Sequence, residues 1–228
     1  MRMMQRLSTM RITLPSGTPA EIDVSVANPV MGLVIMPDIF GLRPLFDELV
    51  SRLAQEWNMA VIAIEPFAGQ TLSADIGERM AFMPLLSDDA ILRDMHEAAD
   101  ALGVDRVGLM GFCMGGMYCH KASRSDRFAR ISSFYGMIHV PEGWMSATQG
   151  DPLTYLEDGN ADRVLAIIGS LDPYTPPDQV VELRKAGVTV QEYPEAVHGF
   201  AHDALRPAHR VDDARDAFSR TRDWLLTS

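Results

Sequence analysis

The chain has little that would mark it for export, for a membrane or for nucleic acid. Its 228 residues include only two cysteines, too few for a disulfide scaffold. If Cys113 and Cys119 share one helix, their six-residue separation spans about 9 Å of rise, beyond the roughly 7 Å over which two Cα atoms can be bridged. Free thiols in a cytosolic protein are the expectation. No apolar stretch approaches the roughly 20 residues that cross a bilayer. The opening MRMMQRLSTMRITLP has no apolar core of signal-peptide length and soon turns to alternation, so export is not expected. Basic residues are the scarcer charge: 20 Lys and Arg stand against 31 Asp and Glu, a formal net charge of −11. A field of that sign repels the phosphates of nucleic acid and anionic lipid surfaces. A small anionic substrate is still admissible, because one local arginine outweighs the mean field. Internal repeats, low-complexity tracts and linkers are also missing, and 228 residues suit one core, so a single domain over residues 1–228 is expected.

What is present alternates. Short apolar runs recur at 31–37 (MGLVIMP), 59–66 (MAVIAIEP), 106–111 (RVGLMG), 131–136 (ISSFYG), 163–170 (RVLAIIGS) and 188–194 (VTVQEYP). Continuous apolar runs of this length read as strands covered on both faces, the pattern of a parallel sheet. Between them LFDELVSRLAQEW, DDAILRDMHEAADALG and DQVVELRKAG carry helical spacing, the last two closing on the C-cap candidates Gly103 and Gly187. VDDARDAFSRTRDWLLTS reads as a final amphipathic helix with Val211, Ala214, Phe218 and Leu225 on one face and Trp224 at its edge. MRITLPSG and AEIDVSVA, within the first 27 residues, read as an antiparallel edge. The fold class is therefore α/β, a mostly parallel sheet with helices on both faces. The stretch 137–160 has no clear periodicity and reads either as a wall or lid of a site or as packed surface.

In RVGLMGFCMGGMYCHKA an apolar strand runs into Gly111, Phe112, Cys113, Met114, Gly115 and Gly116, then into a helical run. Gly-x-nucleophile-x-Gly at a strand-to-helix turn is a nucleophile elbow, in which the tight turn pushes the central side chain outward. A helix N-terminus there offers partial positive charge and free N–H groups, which favour a thiolate and can hold an oxyanion. Two plainer readings compete. A phosphate loop lacks its Gly-Lys-Ser/Thr ending and the Gly-x-Gly-x-x-Gly pattern; a buried structural cysteine is the other. Asp172 in LDPYTPP and His198 in EAVHGF each follow a strand, on the edge where open α/β sheets build their sites. The order Cys113, Asp172, His198 is the nucleophile, acid, base order of α/β-hydrolases. A metal site at His198, His202 and Asp203 is not supported, because a third spaced ligand and the zincin Glu are missing. Cys119 reads as a buried small hydrophobe, and His96, His120, His139 and His209 as solvated or satisfied histidines.

GFCMGG, GSLDPYTP, HGF and the early MPDIFGL together resemble the dienelactone hydrolase family, over about residues 30–228. The resemblance implies a Cys-His-Asp triad of Cys113, His198 and Asp172, an oxyanion hole from the backbone N–H groups of Ile39 and Met114, and no metal or organic cofactor. It implies a small-molecule ester or lactone as substrate, a cytoplasmic monomer or small homo-oligomer, and an acyl-enzyme route. Asp38 stands where the family usually has Glu, a carboxylate thought to hold the resting thiol. Where members place an Arg shortly after the catalytic His to hold a substrate carboxylate, this chain offers His202, with Arg79 in GERMAFMP a second candidate anion contact. A thioesterase or general carboxylesterase would use the same machinery. A redox sensor or ligand-binding protein using Cys113 is the non-hydrolytic alternative.

Overall fold

The computed structural model describes residues 9–227; the first eight residues, part of the stretch read against an export signal, lie outside the described residues. Eight strands form one sheet: β1 (Met10–Thr13), β2 (Pro19–Asp23), β3 (Gly32–Met36), β4 (Ala60–Ile64), β5 (Val107–Phe112), β6 (Phe128–Phe134), β7 (Val164–Gly169) and β8 (Thr189–Tyr193). Their order is β1-β2-β4-β3-β5-β6-β7-β8. β1 pairs antiparallel with β2, and β2 antiparallel with β4, with Ala20 opposite Ile64. From β4 to β8 every pairing is parallel. All six apolar runs are strands of the parallel part, and the two N-terminal segments form its antiparallel edge.

Alternation along each strand divides the core in two. On β3, Val34 and Met36 point to one face and Leu33 and Ile35 to the other; on β4, Ile62 and Ile64 oppose Val61 and Ala63. Both sets are buried, which is why these strands read as continuous apolar runs with no polar alternation. One face is covered by α1 (Pro44–Trp57) and α7 (Val211–Leu226), through Phe46, Leu49, Leu53, Ala214, Ala217 and Leu225. The other is covered by α3 (Asp88–Ala101), α4 (Met114–Lys121), α5 (Pro152–Glu157) and α6 (Pro177–Lys185). α2 (Ile76–Phe82) buries none of its side chains and lies outside these layers.

Gly103 and Gly187 follow the C-caps Leu102 and Ala186 with φ of +66° and +98°, the left-handed ending that glycine adopts without steric cost. The expected face of α7 needs one correction. Val211 is 61% exposed, because it is the first residue of the helix and precedes the turn that meets the sheet; Ala217 and Thr221 are buried beside Ala214 and Leu225 instead. Trp224 is half-buried at the edge of that face, its indole N–H donating to the carbonyls of Ile131 and Arg163 at 3.0 and 3.2 Å. Residues 137–160 contain α5 and a single 3₁₀ turn, Glu142–Trp144, elements too short to show a period. Among the described residues no helix is long and apolar enough to cross a membrane.

Candidate active site

β5 ends at Phe112 and α4 begins at Met114, leaving Cys113 alone in the turn with φ 57° and ψ −117°. A cysteine in that region costs on the order of 1–3 kcal/mol, which its surroundings must impose. The Cys113 N–H donates to Phe134 O at 3.0 Å, and its carbonyl accepts from Met117 N at 3.0 Å, so the strained residue is held from both sides. Gly115 sets the approach of the neighbouring loop. A Cβ there would lie 2.2 Å from Met36 O and 2.4 Å from Pro37 O, so only glycine lets the end of β3 cross so close to the elbow. Cys113 is half-buried and faces a cavity of about 440 Å³. Cys119 is fully buried, and burial pushes its thiol pKa well up.

Asp172 sits in the turn after β7. One carboxylate oxygen accepts from Tyr174 N at 2.9 Å, which leaves the other to face His198 Nδ1 at 2.8 Å. The His198 ring lies between two edge-on tyrosines, Tyr135 at 5.1 Å and Tyr174 at 4.8 Å between centroids. Burial alone would lower its pKa. The interaction with Cys113 and the hydrogen bond that Nδ1 makes to Asp172 outweigh burial and raise it to about 10. Nε2, the nitrogen away from Asp172, is buried without a hydrogen bond of good geometry among the described residues. Cys113 thus acts on this ring through a contact that is still loose, as catalytic hydrogen bonds are before substrate tightens them.

The loop after β3 supplies the next part. Two backbone N–H groups beside Cys113 have no protein acceptor among the described residues: that of Met114, the first of α4, which no helical carbonyl can reach, and that of Ile39. The Ile39 loop is fastened on every side. Asp38 accepts from Phe40 N at 3.0 Å, from both terminal nitrogens of Arg43 at 2.6 and 2.9 Å, and lies 2.9 Å from His202 Nε2. Arg79 donates to the carbonyl of Ile39 at 3.0 Å and to those of Ser73 and Leu72 at 2.7 and 3.1 Å. Glu65 accepts from Leu42 N at 2.9 Å.

Cys113, Asp172, His198, Ile39, Met114 and Asp38 are therefore neighbours. Arg79 and His202 are not where an anion contact would be. Arg79 is not part of the cavity lining and its guanidinium is used on three carbonyls, and the His202 side chain is fully buried behind Asp38. The cation that does line the cavity is Arg206, eight residues after His198, which sequence reasoning missed. A turn at Asp203, closed by Arg206 N to Asp203 O at 3.2 Å, folds it back, and its guanidinium lies over Gly199, where a Cβ would meet Nη1 at 2.4 Å. The signal was Gly199 itself, with φ +78°, directly after the histidine. Phe40, Ile76, Met80, Met137, Trp144 and Tyr174 complete the cavity as an apolar wall. Met137 and Trp144 make the 137–160 stretch part of that wall.

A larger groove of about 720 Å³ runs between α1 and α7, but it holds neither Cys113 nor His198. Two of the remaining histidines have defined partners. His139 bridges Asp151 and Glu182 at 2.7 Å each, and the buried His120 lies 3.3 Å from Met137 O. No cluster of three or more His, Cys, Asp or Glu side chains among the described residues could hold a metal ion.

An eight-stranded sheet, antiparallel at one edge and parallel through the rest, with a strained strand-to-helix elbow on β5, defines an α/β-hydrolase. The chain belongs to the dienelactone hydrolase family, whose profile matches residues 20–228. It is 25% identical over 220 residues, 88% of this chain and 87% of the other, to a probable 2-oxo-3-(5-oxofuran-2-ylidene)propanoate lactonase of Bradyrhizobium sp. To carboxymethylenebutenolidase 2 of Cupriavidus pinatubonensis it is 24% identical over 196 residues, 82% of this chain and 79% of the other. Among solved structures, the crystal structure of a putative dienelactone hydrolase from Klebsiella pneumoniae superposes with a TM-score of 0.86 at 25% identity, covering 96% of this chain and 98% of that one.

Proposed function

We propose that this protein hydrolyses carboxylic esters or lactones through a Cys113 acyl-enzyme. The observation that carries the reading is the Asp172 to His198 pair at 2.8 Å, whose imidazole lines the same cavity as Cys113 and is raised by both neighbours. The thiolate of Cys113 attacks the substrate carbonyl carbon, and its oxygen becomes an oxyanion facing the N–H groups of Ile39 and Met114. Collapse of that intermediate breaks the C–O bond, and the leaving alkoxide takes the proton from Nε2 of the His198 imidazolium. Neutral His198, oriented by Asp172, then accepts a proton from water as the water attacks the thioester. The second intermediate expels the Cys113 thiolate, releases the acid and leaves the imidazolium in place. In a lactone the alcohol stays tethered to the product.

Arg206 makes the cavity suitable for a substrate that also bears a carboxylate, with its apolar body against Trp144 and Met80. The names of the two curated relatives, a lactonase and a butenolidase, support a lactone over an acyclic ester. Turnover of p-nitrophenyl acetate, its loss in Cys113→Ala, and peptide mapping after one equivalent of iodoacetamide test the reading. Label is expected on Cys113 and not on the buried Cys119. Undiminished turnover by Cys113→Ala, or first labelling at Cys119, would remove it.

A further inference from the structure

Behind the cavity lies a second Asp, His and hydroxyl chain that the reaction does not use. Tyr135 OH is hydrogen-bonded to His202 Nδ1, and His202 Nε2 lies 2.9 Å from Asp38. Its directions follow from charge. Burial would raise the Asp38 pKa, but hydrogen bonds from His202 and the bidentate Arg43 overcome it and hold the carboxyl well below its usual range. Burial, with Arg43 and Arg206 nearby, pushes His202 below its usual value despite Asp38. Burial also pushes the Tyr135 phenol far up, so it keeps its proton. The phenol therefore donates to Nδ1 of a neutral imidazole, whose Nε2–H donates to an ionised carboxylate. Phe112 stacks on the His202 ring at 4.7 Å and 21°, and Phe46 lies at 6.1 Å and 30°.

Each end of this chain meets a part of the machinery. Asp38 immediately precedes Ile39 and closes its turn through Phe40 N. Tyr135 stands at the end of β6 with φ 40°, a strained conformation for an aromatic residue, and its ring edge supports His198. We propose that His202 and Tyr135 are positioning residues, a buried strut that sets the Ile39 amide relative to the His198 ring. The strut acts on the oxyanion and base geometry, and leaves the reactivity of the thiol to the elbow.

The proposal rests on the Cys113 hydrolysis reading, and one experiment separates the two. Steady-state kinetics on p-nitrophenyl acetate and the iodoacetamide alkylation rate of Cys113 are measured for wild type, Tyr135→Phe, His202→Phe and the double variant. A loosened oxyanion donor costs part of the 10²–10³ that removing one does, so kcat is expected to fall about tenfold in each single variant. KM and the alkylation rate should stay within about twofold of wild type, and the double variant should lose no more than the worse single one, because both changes cut the same chain. Should His202→Phe fail to fold, Tyr135→Phe, which removes one oxygen, decides alone. Unchanged kcat in Tyr135→Phe overturns the strut, as does alkylation slowed in step with kcat, which would place its action on the thiol. A wild type without Cys113-dependent turnover would instead defeat the hydrolysis reading, and the strut with it.

Discussion

Two Asp–His pairs of almost the same length lie within this small region, His198 with Asp172 at 2.8 Å and His202 with Asp38 at 2.9 Å. Burial opposes the charged form of both rings, yet one pKa rises to about 10 and the other falls. The neighbours beyond the pair account for this. Asp38 is neutralised by a bidentate Arg43, and Arg206 adds a second cation, so a proton on His202 would gain little and be repelled. Asp172 has no such cation among the described residues, and His198 has Cys113, which favours its charged form, on its other side. A carboxylate beside a histidine therefore does not make a base. The second nitrogen and the next charge decide whether the ring moves protons or holds a loop.

The largest break in that comparison should come from exchanging each histidine for asparagine. His198→Asn is expected to lower kcat by roughly 10³–10⁴, while His202→Asn should cost about tenfold; comparable losses in steady-state assays would erase the distinction. Next come the carboxylates. Asp172→Asn should leave the circular-dichroism spectrum and melting curve intact and reduce kcat by about 10³ or more, because it corrupts the tautomer of His198 without altering packing. Asp38→Asn should show the opposite profile, a lower Tm and a milder kinetic loss, because the half-buried Arg43 would lose the counter-charge it meets in the buried Asp38.

Proton NMR titration of the imidazole C2–H signals sharpens the contrast at smaller effect. The His198 midpoint is expected well above 6.5, moving towards about 10, and to drop back in Cys113→Ala, where the Cys113 interaction that raises it is gone. His202 should remain neutral to below 6.5. The corresponding stability change has a definite sign. His202 is lowered in the folded state, so the unfolded chain takes up its proton first and stability falls as pH drops below 6.5; Asp38, also lowered, adds stability that is complete above 3.8 and lost as pH falls through its folded value. Tm measured between pH 7 and 4 should decline less steeply in His202→Phe than in wild type. The smallest effect expected is that of Arg206→Gln: about a tenfold rise in KM for an ester carrying a free carboxylate and none for p-nitrophenyl acetate.

Much of the frame was legible because strand periodicity is local. Leu33 and Ile35 alternate with Val34 and Met36 whatever lies 100 residues away, and both faces being apolar announces a covered, parallel strand. The triad candidates were legible for a related reason. Once β5, β7 and β8 are parallel, the residues that follow them, Cys113, Asp172 and His198, share one sheet edge by topology alone. Arg79, His202 and Arg206 were not legible in this way. Arg79 could have faced an anion, but three carbonyls claimed it; His202 fell at the spacing expected of a substrate contact and was buried instead; Arg206 lay beyond that spacing and was returned by a turn.

The amino-acid sequence by itself determined the α/β order of elements, the elbow at Gly111 to Gly116 and the three chemical types brought to the sheet edge, since each depends on periods and turn chemistry within a few residues. Only the tertiary structure decided that His202 is buried against Asp38 and that Arg206, not Arg79, lines the cavity. That choice rests on burial and on charges brought together through space, Asp38 with His202 across 164 positions of chain and Cys113 with His198 across the cavity, and no local pattern encodes the field at a buried imidazole.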